Sequence, residues 1–294
     1  MFIKREISID IKGETYYDIV TPYGYGGPII RKCKDEDKDE LINQYRAAFS
    51  KYCDENKIVS EFVRFHPLVS NAEDFQDCYE TTCIRNTIGT NLRDYDDPIQ
   101  SEFSKSCRKN INKALKEGVS YRVTDTPQEK DINNFMEIYY STMNRNNASE
   151  FYYFNKDYII ECVEKFPNNI VIVEAIYSNK TIAMGFYFKY DKTIHIHLSG
   201  TLSEFLYLSP AYILRYAVSL WGKENGYEMI HHGGGRTNQP DDSLYRFKKQ
   251  FGKNTEFNFF VGKRIWNTRI YDELNRILNV DESTEYFPSY RAKL

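Results

Sequence analysis

No run among the 294 residues approaches the roughly 18 consecutive apolar positions that a membrane-crossing helix needs. The opening MFIKREISID has no apolar stretch of the kind that directs secretion. The expectation is a cytoplasmic protein with no membrane insertion. Paired cysteines are lacking too. The six present include no C-x-x-C, and Cys78 and Cys83 are the closest two, a pattern of reduced thiols rather than of a disulfide framework or a zinc ribbon. Nor does one sign of charge dominate: the formal net charge is -3, which excludes coating of nucleic acid by bulk charge, and no DNA partner is expected. The glycine-rich TPYGYGGP at 21–28 lacks the Gly-Lys-Ser/Thr ending of a phosphate-binding P-loop.

Hydrophobic residues at 41% and aromatic residues at 16% suffice for folded cores. The length exceeds that of a usual single domain, so two are expected, 1–125 and 126–294, with the boundary in the polar stretch 125–130. In the first, residues 3–11 and 15–20 read as strands and 39–53 as an amphipathic helix. Tyr23 and Tyr25 either line a substrate cleft or fasten their loop to the core. Strand 59–66 places Phe62, Arg64 and His66 on one face; Arg64 there serves either as a bidentate clamp for a carboxylate or phosphate or as a structural ion pair. A further strand covers 79–86. Asp97-Pro98 opens a long helix closed by Gly118. Its basic face carries Lys105, Arg108, Lys109, Lys113 and Lys116, either simply solvated or a landing strip for an anionic partner.

The second half runs as helices 132–142 and 156–166, strands 170–176, 182–190 and 193–199, a helix from Ser209-Pro210 to Gly226, strand 227–232, a helix after Asp242, and strand 256–261. On strand 193–199, alternation gives Ile194, Ile196 and Leu198 a core face and His195, His197 and Ser199 a wet one. With His231 and His232 these histidines invite a metal site, but no Asp or Glu stands at comparable spacing. They read better as cleft-lining groups able to relay a proton, and no metal is expected.

Residues 228–252 combine a strand end, the turn Gly233-Gly234-Gly235, the helix cap Asp241-Asp242 and a helix. Leu244, Phe247, Lys248 and Phe251 share one stripe of that helix, while Lys249 points away. Lys248 either snorkels from the stripe's edge or holds a phosphate or a developing oxyanion, because ligands gather at the carboxyl ends of strands in α/β sheets.

The order of elements in the second half resembles the acetyltransferase-like fold of the GNAT superfamily, and the first half resembles a degraded copy of it. The segment Phe247-Lys248-Lys249-Gln250-Phe251-Gly252, together with the basic run RKNINKALKEG at 108–118, is similar to the FemABX family of peptidyltransferases. The resemblance implies an α/β protein with a mixed sheet and two tandem GNAT-like domains, the first on the acceptor side of a cleft. It implies transfer of an amino acid from aminoacyl-tRNA to an amine of a peptidoglycan precursor, with Lys248 at the reacting ester and Phe247 beside it. His195 or His197 would accept a proton. Tyr23, Tyr25, Arg64, His66, Ser199, Gly233, Gly234 and Gly235 would bind substrate, and Arg108, Lys109 and Lys113 an anion. No cofactor is permanently bound; the donor is aminoacyl-tRNA or acyl-CoA, and the acceptor a small molecule or a glycan or peptide precursor.

Two parts of the wider pattern are missing. No sustained heptads supply the long helical hairpin of FemA-like members, and residues 206–211, LYLSPA, lack the glycines of the loop that cradles the pyrophosphate of acyl-CoA. The competing readings are an acyl-CoA-dependent N- or O-acetyltransferase acting on a sugar or amine, and a non-catalytic module binding a nucleotide-linked precursor.

Overall fold

A computed structural model describes residues 1–239 and 241–294. Contacts divide the chain into two compact units, Met1–Arg85 with Phe257–Leu294, and Asn86–Glu256. The strands are β1 (Ile3–Ile11), β2 (Glu14–Val20), β3 (Ile58–Arg64), β4 (Glu80–Asn91), β5 (Ser120–Thr124), β6 (Ile170–Tyr177), β7 (Lys180–Tyr190), β8 (Thr193–Thr201), β9 (Met229–Gly234) and β10 (Glu256–Ile265). The α-helices are α1 (Lys38–Glu55), α2 (Asn71–Asp74), α3 (Pro98–Glu102), α4 (Lys105–Lys116), α5 (Glu129–Arg145), α6 (Lys156–Lys165), α7 (Pro210–Glu224), α8 (Ser243–Lys249) and α9 (Thr268–Ile277). None of the described helices is long and apolar enough to cross a membrane.

In the first unit β1 pairs antiparallel with β2, β2 parallel with β3, and β3 antiparallel with β10. Ile270, Tyr271 and Leu274, three and four apart on α9, turn one helical face onto Ile7, Ile11 and Val59. The buried carboxylate of Asp18 is matched by Arg5 at 2.6 Å and by Arg291 at 2.7 Å, as a buried charge requires. The end of the chain is thereby fastened to β2.

In the second unit β5, β6, β7 and β8 follow one another antiparallel, β8 runs parallel to β9, and β9 antiparallel to β4. The hairpin turns use Ser178, Asn179 and Asp191 at positive φ. Helices α4 and α7 cover one face, burying Phe103, Cys107, Ile111, Ile213, Leu214, Ala217 and Val218 with Phe251. Helices α5 and α6 cover the other, with Phe135, Tyr139, Ile159 and Phe186 inside. Full burial of each such aromatic side chain contributes roughly 1.5–3 kcal/mol.

Three expectations are corrected. The boundary expected at 125–126 falls inside the second unit, because the apolar face of α4 shares one core with Val171 and Ile182 and β5 is hydrogen-bonded to β6. The single helix expected from Asp97 to Gly118 is two: Phe103 leaves the helical backbone, and Ser104 recaps by accepting from the Cys107 N–H at 3.1 Å. The chain also continues past the last expected strand into α9.

Gly200 on β8 packs tightly under α5, where an added Cβ would meet the Ile138 carbonyl oxygen at 2.5 Å. Gly200→Ala should lower stability by roughly 2–3 kcal/mol, as overpacking against a backbone that cannot shift does; chemical denaturation midpoints of the two proteins check it.

Candidate functional site

Strands β8 and β9 are paired through Thr193, Ile194 and His195 against Met229, Ile230 and His231, and both run on, to Thr201 and Gly234. Ile194 and Ile230 enter the core under α4 and α7. Alternation turns His195 and His231 to the opposite face and His232 back toward α7. His195 Nδ1 lies 3.0 Å from His231 Nδ1, and His231 Nε2 lies 2.9 Å from Thr87 Oγ1. One N–H bridges the two Nδ1 atoms, so one ring donates and the other accepts, and a proton reaching half-buried His195 has a route inward.

After His232 the backbone turns at Gly233, φ +73°. A Cβ at Gly235 would come within 2.6 Å of Asp242 Oδ1, so the turn closes on the helix cap only with glycine there. Asp242 Oδ1 accepts from the Tyr245 N–H at 2.8 Å, and Oδ2 from the Arg236 and Thr237 N–H groups at 2.9 Å each. These amides, Tyr245's foremost and then Thr237's, hold the carboxyl down at about 2. On the helix so started, Lys248 Nζ donates to the Gly234 carbonyl at 2.7 Å. Phe247 stands edge-on to Tyr212 and Phe251, with ring centroids 5.4 and 5.1 Å apart. Lys249 turns away to pair with Glu256.

His232 sits between these groups, 1% exposed. Its Nε2 is 2.8 Å from Thr90 Oγ1, whose single O–H donates to the Phe251 carbonyl at 2.6 Å. Nε2 therefore carries the proton, and Nδ1 is a bare lone pair. Burial first, then the charges of Arg215, Lys248 and His195, hold the imidazole well below its usual value. Lys248 and His195 both contribute to the electrostatic field at this ring. Neither Arg215 nor the buried Tyr187 is among the residues singled out from the sequence, although one arginine in the apolar run PAYILRYAV is a signal of the same kind as Lys248.

His197 lies elsewhere. Its Nε2 is 3.0 Å from the Tyr158 hydroxyl on α6, its ring centroid is 4.9 Å from that of Phe188, and burial holds its pKa at about 4. Leu198 joins the α5–α6 core, whereas Ile194 and Ile196 lie in the other. An irregularity opposite Phe186 and Tyr187 breaks the alternation. The expected wet face holding His195, His197 and Ser199 is corrected accordingly: His197 is packed among aromatic rings, and Ser199 is half-buried.

In the first unit Tyr25 stands edge-on to His66 and to Phe259, with centroids 5.7 and 5.0 Å apart, and burial pushes its phenol up. His66 Nδ1 accepts from the Leu68 N–H at 3.2 Å, and burial lowers its pKa. Arg64 lies over Phe62 at 5.1 Å, and burial lowers its pKa as well; Tyr23 is exposed. In the second unit Arg108 donates to the Phe103 and Gln100 carbonyls, clasping the break between α3 and α4. Lys113 pairs with Glu117 at 3.6 Å, and Lys109 is exposed. The start of α7 makes a poor fit for a pyrophosphate. Pro210 has no N–H, the Ser209 and Tyr212 N–H groups donate to Leu206 and Ser209 carbonyls at 3.0 Å, and Leu206 and Tyr207 crowd the surface.

A family model described as the acetyltransferase (GNAT) domain matches residues 101–249. No curated protein matches the chain. Among solved structures, one of FemX superposes with a TM-score of 0.65 at 12% identity, covering 92% of this chain and 90% of that one. The structure of L-PGS from Bacillus licheniformis gives 0.56 at 14%, covering 84% and 77%. At these identities the likeness is one of fold.

The burial of His197 has a consequence for pH. Above about pH 6.5 its ring is neutral in both folded and unfolded chains. Between there and about 4 only the unfolded chain takes the proton, so stability falls as pH falls through that window. His197→Gln should flatten this part of the profile, as melting temperatures of the two proteins measured from pH 7 to pH 4 would reveal.

Proposed function

This chain belongs to the GNAT acetyltransferase family, and from that premise we propose that it moves an activated acyl or aminoacyl group onto an amine of a cell-envelope or peptidoglycan-type precursor. The acyltransferase chemistry follows from the family; the substrates are our reading. The observation that carries it is Lys248, held by the Gly234 carbonyl at the end of β9 and set in an aromatic seam. When an amine attacks an ester, negative charge collects on the carbonyl oxygen. A preorganised ammonium stabilises that charge far more in a partly dry site than in water. The attacking amine must also shed a proton. His195 accepts it, directly or through a water, its bond to His231 lets the pair share it, and the pair returns it to the ester oxygen that leaves as an alcohol when the tetrahedral adduct collapses.

For the donor, the start of α7 favours an ester carried on something other than a pyrophosphate-linked thiol. The exposed face of α4, with Lys105, Lys109 and Lys116, suits the phosphates of aminoacyl-tRNA. Acyl-CoA is the second reading, favoured by the family match itself.

Lys248→Met should lower kcat by roughly 10²–10³-fold with a smaller change in KM, the pattern of a group that acts on the transition state. Transfer from aminoacyl-tRNA to an amine-bearing peptidoglycan precursor, followed for both proteins, provides the test. Wild-type turnover by Lys248→Met would remove Lys248 from the mechanism.

A further inference from the structure

Among the described residues, three buried polar groups on three elements of the second unit lack a protein partner. Arg215 on α7 is 4% exposed, and its Nε and Nη1 find no acceptor. Tyr187 on β7 is fully buried with its hydroxyl unbonded, lying over Gly185, where any Cβ would come within 2.2 Å of it. His232 on β9 keeps Nδ1 unbonded, because its one N–H sits on Nε2 and is committed to Thr90. The three share a neighbourhood. The Arg215 guanidinium and the His232 ring each lie 5.8 Å from the centroid of Phe251, and Tyr187 belongs to the same buried core cluster as Phe251.

Buried donors and acceptors are nearly always matched, and a guanidinium with no carboxylate is the costliest to leave unmatched. The faces of Phe247 and Phe251 attract the cation but accept none of its N–H groups at their edges. A simple anion would suit Arg215 and Tyr187 yet confront the His232 lone pair. All three are satisfied together by a ligand that carries both an oxygen acceptor and an N–H donor.

We propose that this cluster binds the amino-acid end of the donor, with a carbonyl or carboxylate oxygen on Arg215 and Tyr187 and the α-amino group on His232. The proposal rests on the transfer reading above and deepens it. An aminoacyl group fills the cluster, whereas a plain acyl group leaves Nδ1 of His232 unmatched.

The test uses glycine, glycine methyl ester and acetate as probes, by calorimetry and thermal shift on the full chain. Glycine or its ester should bind saturably and raise the melting temperature, with acetate about tenfold weaker for want of the N–H. Preference for the ester would identify the donor's ester as the ligand; preference for glycine would identify a free amino acid. Tyr187→Phe should fold as the wild type does and weaken binding roughly 5–10-fold. Arg215→Met, relieved of a buried unpaired charge, should melt above the wild type without probe and show no shift with it. The proposal is overturned if the wild type binds none of the three probes, if acetate binds as well as glycine, or if Tyr187→Phe binds like the wild type. It is overturned too if Arg215→Met melts below the wild type, because buried waters then complete the cluster. None of these readouts involves turnover, so their failure leaves the role of Lys248 standing, and a failure of Lys248→Met leaves this cluster's role standing.

Discussion

The second unit depends on the short pairing of β8 with β9. Three residue pairs, ending at His195 and His231, join them, after which each strand continues. The end of β9 thus has a carbonyl, that of Gly234, to offer to Lys248. The chain turns there at Gly233, and Asp242 gathers three amides of the turn and of the following helix into one cap. The carboxylate fixes where α8 begins, and the start of α8 fixes where Lys248 arrives. The histidine pair stands at the last position joining β8 to β9, three residues before Gly234 on β9.

Two cations, Arg215 and Lys248, stand in a seam made by Phe247 and Phe251. A guanidinium over a ring gains about 0.5–2 kcal/mol, while desolvating an unpaired ion costs several. The aromatic faces alone do not make such a seam stabilising, and apolar residues of similar volume would pack it at lower cost. What the cations supply is a positive potential around His232, which adds to the larger effect of burial in keeping that ring neutral. A site of this kind is suited to an electron-rich group that arrives, reacts and leaves.

Much of this was legible in the sequence where local chemistry decides structure. The lysine stripe of α8, its aspartate cap, the hairpin turns and the order of elements from α5 to β10 follow from periodicity and turn residues. Long-range packing was not legible. Phe103 and Ser104 interrupt a run that reads as one helix, because Phe103 is drawn into the core against Phe251. Strict alternation on β8 is broken by an irregularity opposite Phe186 and Tyr187, which turns Leu198 onto the α5–α6 face, where His197 is packed against Phe188. Spacing on the strand gives no sign of that. The contact units are discontinuous in sequence, with Phe257–Leu294 returning to the first, and no compositional break at 125–130 could reveal it. His232 was visible only as a neighbour of His231; its place follows from Thr90 and Phe251, residues about 140 and 20 positions away.

The central claim is that this GNAT scaffold holds an activated ester without a pyrophosphate cradle at the start of α7. Calorimetric titration of the purified protein with acetyl-CoA tests it most directly. The account predicts no saturable heat through the millimolar range. Saturable micromolar binding would contradict it and would make coenzyme A the carrier despite Pro210 and the glycine-free loop.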